Sequence, residues 1–282
     1  MLILNKLKDC VNLHHTRGEE ERGKQDYWGY LKVFQGLVLD IANVKIDLAG
    51  IVAIVGNYGS GKTEVAINLA MDQKHRGRQV CVVDLDLVNP YFRTREVRRT
   101  FQSLDIQMVL PPEGLLQADL PVLAPQVAGA IRNPGELTIL DVGGDDVGAS
   151  VLAVLRDALN AQKQEVRTLQ VVNPFRPKTD TVDGCLRMKA AIEATARLAV
   201  DGWIGNAHLL DETLVDHILQ GYGFMQKLVQ ASGLPLELVA IDHELLASKE
   251  LGDLDCPLLP IRRQLVPPWK KTAALSSDNP MI

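Results

Sequence analysis

From residue 51 onward, short apolar runs alternate with longer stretches whose apolar residues recur at helical spacing. Ile51-Val52-Ala53-Ile54-Val55 opens the series, and Gln79-Val80-Cys81-Val82-Val83-Asp84 repeats the pattern. The spacing predicts further strands over 106–110, 137–141, 167–172, 202–206 and 236–241. Between them it predicts helices over about 62–75, 93–103, 119–132, 149–161, 180–198 and 211–231. Strands that are apolar throughout, each followed by a helix, imply a parallel sheet buried on both faces. The fold class expected is therefore α/β, a doubly wound and mostly parallel sheet with helices on both sides. Upstream, Leu37–Ile41 and Val44–Leu48 read as an edge hairpin.

The first strand runs into Gly56-Asn57-Tyr58-Gly59-Ser60-Gly61-Lys62-Thr63, and a helical stretch leaves it from Glu64. This is G-x-x-x-x-G-K-[ST] in its working context of strand, glycine loop and helix. Glycines let the backbone approach a phosphate closely. Successive N–H groups at a helix N-terminus then form an anion site reinforced by the helix dipole. Gly56, Asn57, Tyr58, Gly59, Ser60, Gly61, Lys62, Thr63 and Glu64 are thus the nucleotide-contacting candidates. Lys62 is expected on the β- and γ-phosphates and Thr63 on Mg²⁺.

Three later strands end in acids or amides, where ligands of open α/β sheets bind. They lead into Asp84-Leu85-Asp86, into Asp141-Val142-Gly143-Gly144 and into Asn206. Asp84, Asp86 and Asp141 suit Mg²⁺ binding or the orientation of an attacking water. Gly143-Gly144 allows a loop that responds to a γ-phosphate. Strand-end acids also serve as helix caps or solvated loop residues. Arg93, Arg95, Arg98 and Arg99 follow the second strand. They read either as a phosphate contact or as a solvated helix face. Asn173-Pro174-Phe175-Arg176-Pro177 is either a wall of the base pocket or a rigid turn. His208, His217 and His243 lack metal-motif spacing and read as ordinary surface or half-buried residues.

Composition narrows the partners. The 282 residues are 46% hydrophobic and 23% charged, with net charge −5, which fits a globular domain with a sizeable core. The acidic balance argues against a broad nucleic-acid surface. No apolar run reaches membrane-spanning length and the N-terminus lacks a signal pattern, so a cytoplasmic location is expected. Cys10, Cys81, Cys185 and Cys256 are scattered, without zinc or disulfide spacing. The organisation expected is an N-terminal extension over 1–36, a nucleotide-binding domain over 37–265 and a polar tail over 266–282.

Val52–Ala70, Val82–Asn89 and Thr138–Gly148 resemble the SIMIBI class of P-loop NTPases, and within it the CobQ/MinD/ParA nucleotide-binding family. The resemblance implies ATP and Mg²⁺ as cofactors. It assigns catalytic roles to Lys62, Asp86 and Asp84, and metal-site roles to Thr63, Asp84, Asp86 and Asp141. Gly144 matches the switch II glycine, and Asn206 an adenine contact. Pro257–Arg262 matches a strand and loop bordering the base. Segments 86–93 and 141–148 are the implied switches. Two positions depart from the family. Asn57 stands where a second lysine reaches across a dimer, and Gly148 where the nitrogenase iron protein has a cluster cysteine. N-K-x-D, the GTPase signature, is absent, which favours ATP. The expected function is an Mg²⁺-dependent MinD/ParA-like ATPase switching an unknown client protein, with a homodimer as one partner state. A nucleotide sensor with negligible turnover and a CobQ-like synthetase are the alternatives.

Overall fold

The computed structural model describes residues 46–86, 97–110 and 125–264. These belong to one compact unit spanning 44–282. Among the described residues, eight strands form one sheet: β1 (Gly50–Gly56), β2 (Val80–Leu85), β3 (Gln107–Val109), β4 (Leu137–Val142), β5 (Val166–Val172), β6 (Gly202–Gly205), β7 (Leu236–Asp242) and β8 (Leu258–Ile261). Their order is β3-β2-β4-β1-β5-β6-β7-β8, and every pairing is parallel. The chain first builds outward from β1 on one side, then from β5 on the other. β1 lies at this divide, where a doubly wound sheet opens its ligand crevice.

Six α-helices are described: α1 (Lys62–His75), α2 (Arg98–Ser103), α3 (Pro125–Arg132), α4 (Asp145–Asn160), α5 (Val182–Ala196) and α6 (Val215–Ser232). Side chains of β1 alternate between two cores, as the two-residue period of a strand requires. Val52 and Ile54 pack with Val65, Leu69 and Phe101 from α1 and α2. Ile51, Ala53 and Val55 pack with Ile131, Leu152, Leu155 and Ile192 from α3, α4 and α5. This explains why β1 contains no polar residue: both of its faces are interior. α1 is also buried around most of its girth, from Val65 through Met71.

The sheet is wholly parallel among the described residues, where the pattern predicted a mostly parallel one. The edge hairpin is not formed in its described part. Residues 46–49 carry no strand pairing, although Ile46 and Leu48 bury their side chains in the α1 core; the remainder, 37–45, lies outside the described residues. The start of the 93–103 helix and of the 119–132 helix lie outside them too. α6 begins at Val215, later than its predicted start at 211. Thr213 Oγ1 accepts the Leu209 N–H at 2.9 Å and donates to the Leu210 carbonyl at 2.7 Å. This local pairing diverts the backbone into a single 3₁₀ turn over Leu210–Glu212. α4 begins earlier than predicted, at Asp145, because Gly148 is spent on close packing and does not break the helix. α5 starts at Val182, where Thr181 caps it by accepting the Gly184 N–H at 3.1 Å. No helix among the described residues is long and apolar enough to cross a membrane.

Candidate functional site

The loop between β1 and α1 is closed on itself. Lys62 Nζ donates to the Asn57 carbonyl at 3.0 Å, and the Ser60 N–H reaches the same oxygen at 3.2 Å. Gly61 sits just before α1 at φ 89°, a left-handed conformation that favours glycine. A side chain there would also strike Asn206, whose Nδ2 would lie 2.3 Å from the added carbon. Asn206 uses that nitrogen to hold the loop, donating to the Ser60 carbonyl at 2.7 Å. Lys62 is 7% exposed and Ser60 is fully buried, so the loop is shaped before any ligand arrives.

Acids from two adjacent strands meet beside it. Asp84 on β2 and Asp141 on β4 are register partners, and both are fully buried. Asp86 follows at the exit of β2, its N–H donating to Asp84 Oδ1 at 3.0 Å. Burial, then the charge of Asp84, pushes the Asp141 carboxyl up to about 8, with Asp86 adding a smaller rise. The Thr63 hydroxyl and the Lys62 ammonium oppose this. Even so, neither Asp141 oxygen meets a donor in full hydrogen-bond geometry. A buried carboxylate left this way is costly unless a cation completes it.

That observation fits a magnesium ion held by Asp141 and Thr63. No cage of three or more acidic, histidine or cysteine side chains stands ready among the described residues. Mg²⁺ in such a site draws its remaining ligands from phosphates and water. Gly144 closes the site from β4. A carbon added to it would lie 3.2 Å from Lys62 Nζ and 3.0 Å from the Tyr58 Cα. Gly143 borders Asp86 in the same way, at 3.2 Å from Oδ1.

The β5 side carries features the sequence did not signal. Asn57 is buried, and its Nδ2 donates to the Pro177 carbonyl at 2.8 Å. Its side chain therefore fastens the loop 173–181 to the phosphate loop. Asn173 Nδ2 donates to the His208 carbonyl at 3.0 Å, and the Thr179 hydroxyl to the Asn173 carbonyl at 2.8 Å. This arrangement brings Arg176 against Gly59. His208 is half-buried, one of the two readings its sequence allowed. Burial, then Arg176 and Arg263, lowers its imidazole to about 4.

On the far side of α1, Asn68 accepts the Arg262 N–H at 2.9 Å and donates to the Arg262 carbonyl at 3.1 Å. Glu64 Oε1 accepts the Gln264 N–H. The segment after β8, which the resemblance places beside the base, is thereby strapped to the helix. Of the four arginines past β2, Arg98 and Arg99 are exposed on α2, whereas Arg93 and Arg95 lie outside the described residues, as does most of the segment 86–93. Cys81, Cys185 and Cys256 are free and buried, and burial pushes their thiols up to about 11, 12 and 12. All three are core residues.

Strand order and loop geometry together decide the architecture. The chain has the SIMIBI-type P-loop NTPase fold. Among solved structures it is similar to the cell division protein FtsY of Thermotoga maritima, at 18% identity and TM-score 0.52 over 78% of this chain and 77% of that one. The signal recognition particle receptor FtsY of Elizabethkingia anophelis aligns at 14% identity and TM-score 0.47, over 93% and 76%. The signal recognition particle 54 kDa protein of Aeropyrum pernix, in complex with GDP, aligns at 17% and 0.46, over 84% and 52%. No protein-family model matches the sequence, and no curated protein matches it. In this fold, the departure at Gly148 is built into the packing. A carbon added there would lie 2.4 Å from the Gly143 carbonyl carbon, so the backbone has no room for a cysteine.

Proposed function

We propose that this chain binds a nucleoside triphosphate with Mg²⁺ and works as a nucleotide-dependent switch. One observation carries the reading: a pre-shaped phosphate loop lies beside a buried Asp141 whose oxygens meet no donor in full hydrogen-bond geometry. Backbone N–H groups of residues 59 and 61–63 would cradle the phosphates, with Lys62 neutralising the terminal ones. Thr63 and Asp141 would hold Mg²⁺, which supplies charge neutralisation when bound. Asp86, with Asp84 orienting its backbone, is the group suited to align a water. Gly143 and Gly144 touch Asp86 and the phosphate loop. A change in phosphate occupancy would therefore move the start of α4 and the surface a client protein meets.

ATP is the base reading favoured by Asn206-Ala207-His208-Leu209, which lacks the aspartate of N-K-x-D. Asn206 spends its Nδ2 on Ser60 and keeps Oδ1 as an acceptor suited to the amine of adenine. A second reading, GTP, is favoured by Asp211, two residues farther on and paired with Arg263 at 2.7 Å. The MinD/ParA-like reading keeps the fold and the acids but not the cross-subunit cation. Asn57 is neutral and turned inward onto Pro177. Slow turnover is expected, and a homodimer, if formed, does not depend on residue 57.

Calorimetry with ATP and with GTP, with Mg²⁺ or EDTA, tests the proposal. Binding of one nucleotide that weakens with EDTA and disappears in Lys62→Ala is expected. No binding of either at millimolar concentration would overturn it. Steady-state phosphate release then separates a slow hydrolase from a sensor.

A further inference from the structure

We infer that Arg176 is a phosphate-contacting cation supplied by the chain's own β5–α5 loop, on the nucleotide reading given above. A second cation is not contributed by Asn57, and the arginines described on α2 point to solvent. Arg176 alone among these candidates is held at the phosphate loop. A methyl on Gly59 would sit 3.7 Å from its Nε and 3.9 Å from its Cδ.

The loop that carries it is rigid. Asn57 fixes Pro177, Asn173 fixes the His208 carbonyl, and Phe175 packs edge-on against the His217 ring at 5.4 Å. Lys178 sits at φ 72°, a conformation a non-glycine residue adopts at a cost. Strain and three separate anchors go into presenting one side chain. Arg176 Nε is buried yet has no hydrogen-bond partner, and the guanidinium makes no ion pair among the described residues. A buried donor left open on a charged group is expensive. It is repaid when an anion arrives, and a polyphosphate on residues 59–63 places one next to Gly59. The guanidinium fork matches phosphate oxygens better than an amine does.

The test measures binding of ATP, of GTP and of inorganic tripolyphosphate to wild type, Arg176→Ala, Arg176→Gln and Arg176→Lys, at two salt concentrations. Arg176→Ala and Arg176→Gln are expected to bind the preferred nucleotide and tripolyphosphate about tenfold more weakly, with a shallower salt dependence. Arg176→Lys recovers part of the loss. The melting temperature without ligand stays the same or rises, because an unpaired charge has been removed. Wild-type affinity and salt dependence in both neutral variants overturn the inference while leaving the nucleotide reading intact. Loss of nucleotide affinity with unchanged tripolyphosphate affinity also overturns it. Absence of binding in the wild type defeats the nucleotide reading itself. If Arg176→Ala fails to fold, Arg176→Gln, which keeps the packing of the stem, is judged by the same criteria.

Discussion

Asn206 at the exit of β6 donates to the Ser60 carbonyl at 2.7 Å, joining two strand ends far apart in sequence. The bond fixes the crest of the phosphate loop from outside, while Lys62 fixes it from inside. Asn206→Ala removes the donor and leaves a buried carbonyl open, at a cost of about 1–3 kcal/mol. Asn206→Asp does the same with nearly unchanged volume. Both variants are expected to melt lower and to bind nucleotide at least tenfold more weakly. Chemical denaturation and calorimetry check this; wild-type values in Asn206→Asp would show that the bond does not shape the loop.

Gly148 and Gly143 touch so closely that neither helix nor loop can shift to admit a side chain cheaply. Gly148→Ala places its carbon 2.4 Å from the Gly143 carbonyl carbon. Overpacking of this kind costs about 1–3 kcal/mol, and here it displaces the loop that borders Asp86 and Lys62. Gly129→Ala in α3 is the control, since its added carbon meets nothing within 4 Å. Alanine is the better helix former, so Gly129→Ala is expected to stabilise by about 0.5–1 kcal/mol. Thermal melts of the two variants should move in opposite directions.

The division between what was legible and what was not follows sequence distance. The phosphate loop is local: eight consecutive residues carry its glycines, lysine and hydroxyl, and a flanking strand and helix confirm its context. Asp84 and Asp141 were legible because each ends an apolar strand, and adjacent strands then bring them together. Arg176 reaches Gly59 only through the fold. Its segment was visible as a strand exit, but nothing local told a pocket wall from a turn. The lowered imidazole of His208 was hidden for the same reason, because its burial and its closeness to Arg176 and Arg263 arise only in the fold. The missing charge at Asn57 is legible in the sequence; the partner of its amide, the Pro177 carbonyl, is set by the fold. The α6 start was misplaced because Thr213 pairs with backbone that helical periodicity would have assigned to the helix.

His208 makes the fold sensitive to acid. Its imidazole is lowered from 6.5 to about 4 by burial first, then by Arg176 and Arg263. Between those values the unfolded chain binds a proton that the folded chain refuses. Stability therefore is full above pH 6.5 and declines as pH falls toward 4, by up to about 3 kcal/mol. His208→Gln should flatten that part of the profile. Urea denaturation at several pH values checks the slope, and an unchanged slope in the variant would place the acid sensitivity elsewhere.

Asp141 has the opposite dependence. Burial, then Asp84, raises its carboxyl from 3.8 to about 8, so the folded protein without metal keeps a proton that the unfolded chain has lost. Through that window the folded state binds more protons, and the contribution of this residue to stability falls as pH rises, levelling above about 8. Asp141→Asn is neutral at every pH and similar in size. It is expected to remove this slope and to leave the nucleotide-free protein as stable as wild type or more so at pH 8. The same substitution removes a ligand for Mg²⁺, which must displace the proton to bind. Wild-type affinity for Mg²⁺-nucleotide should therefore rise with pH up to about 8, with proton release seen as buffer-dependent heat. In Asp141→Asn both the pH dependence and the effect of EDTA should vanish. A variant that loses metal dependence while gaining stability identifies a carboxylate kept for the cation it holds; one that merely unfolds would make Asp141 a structural residue.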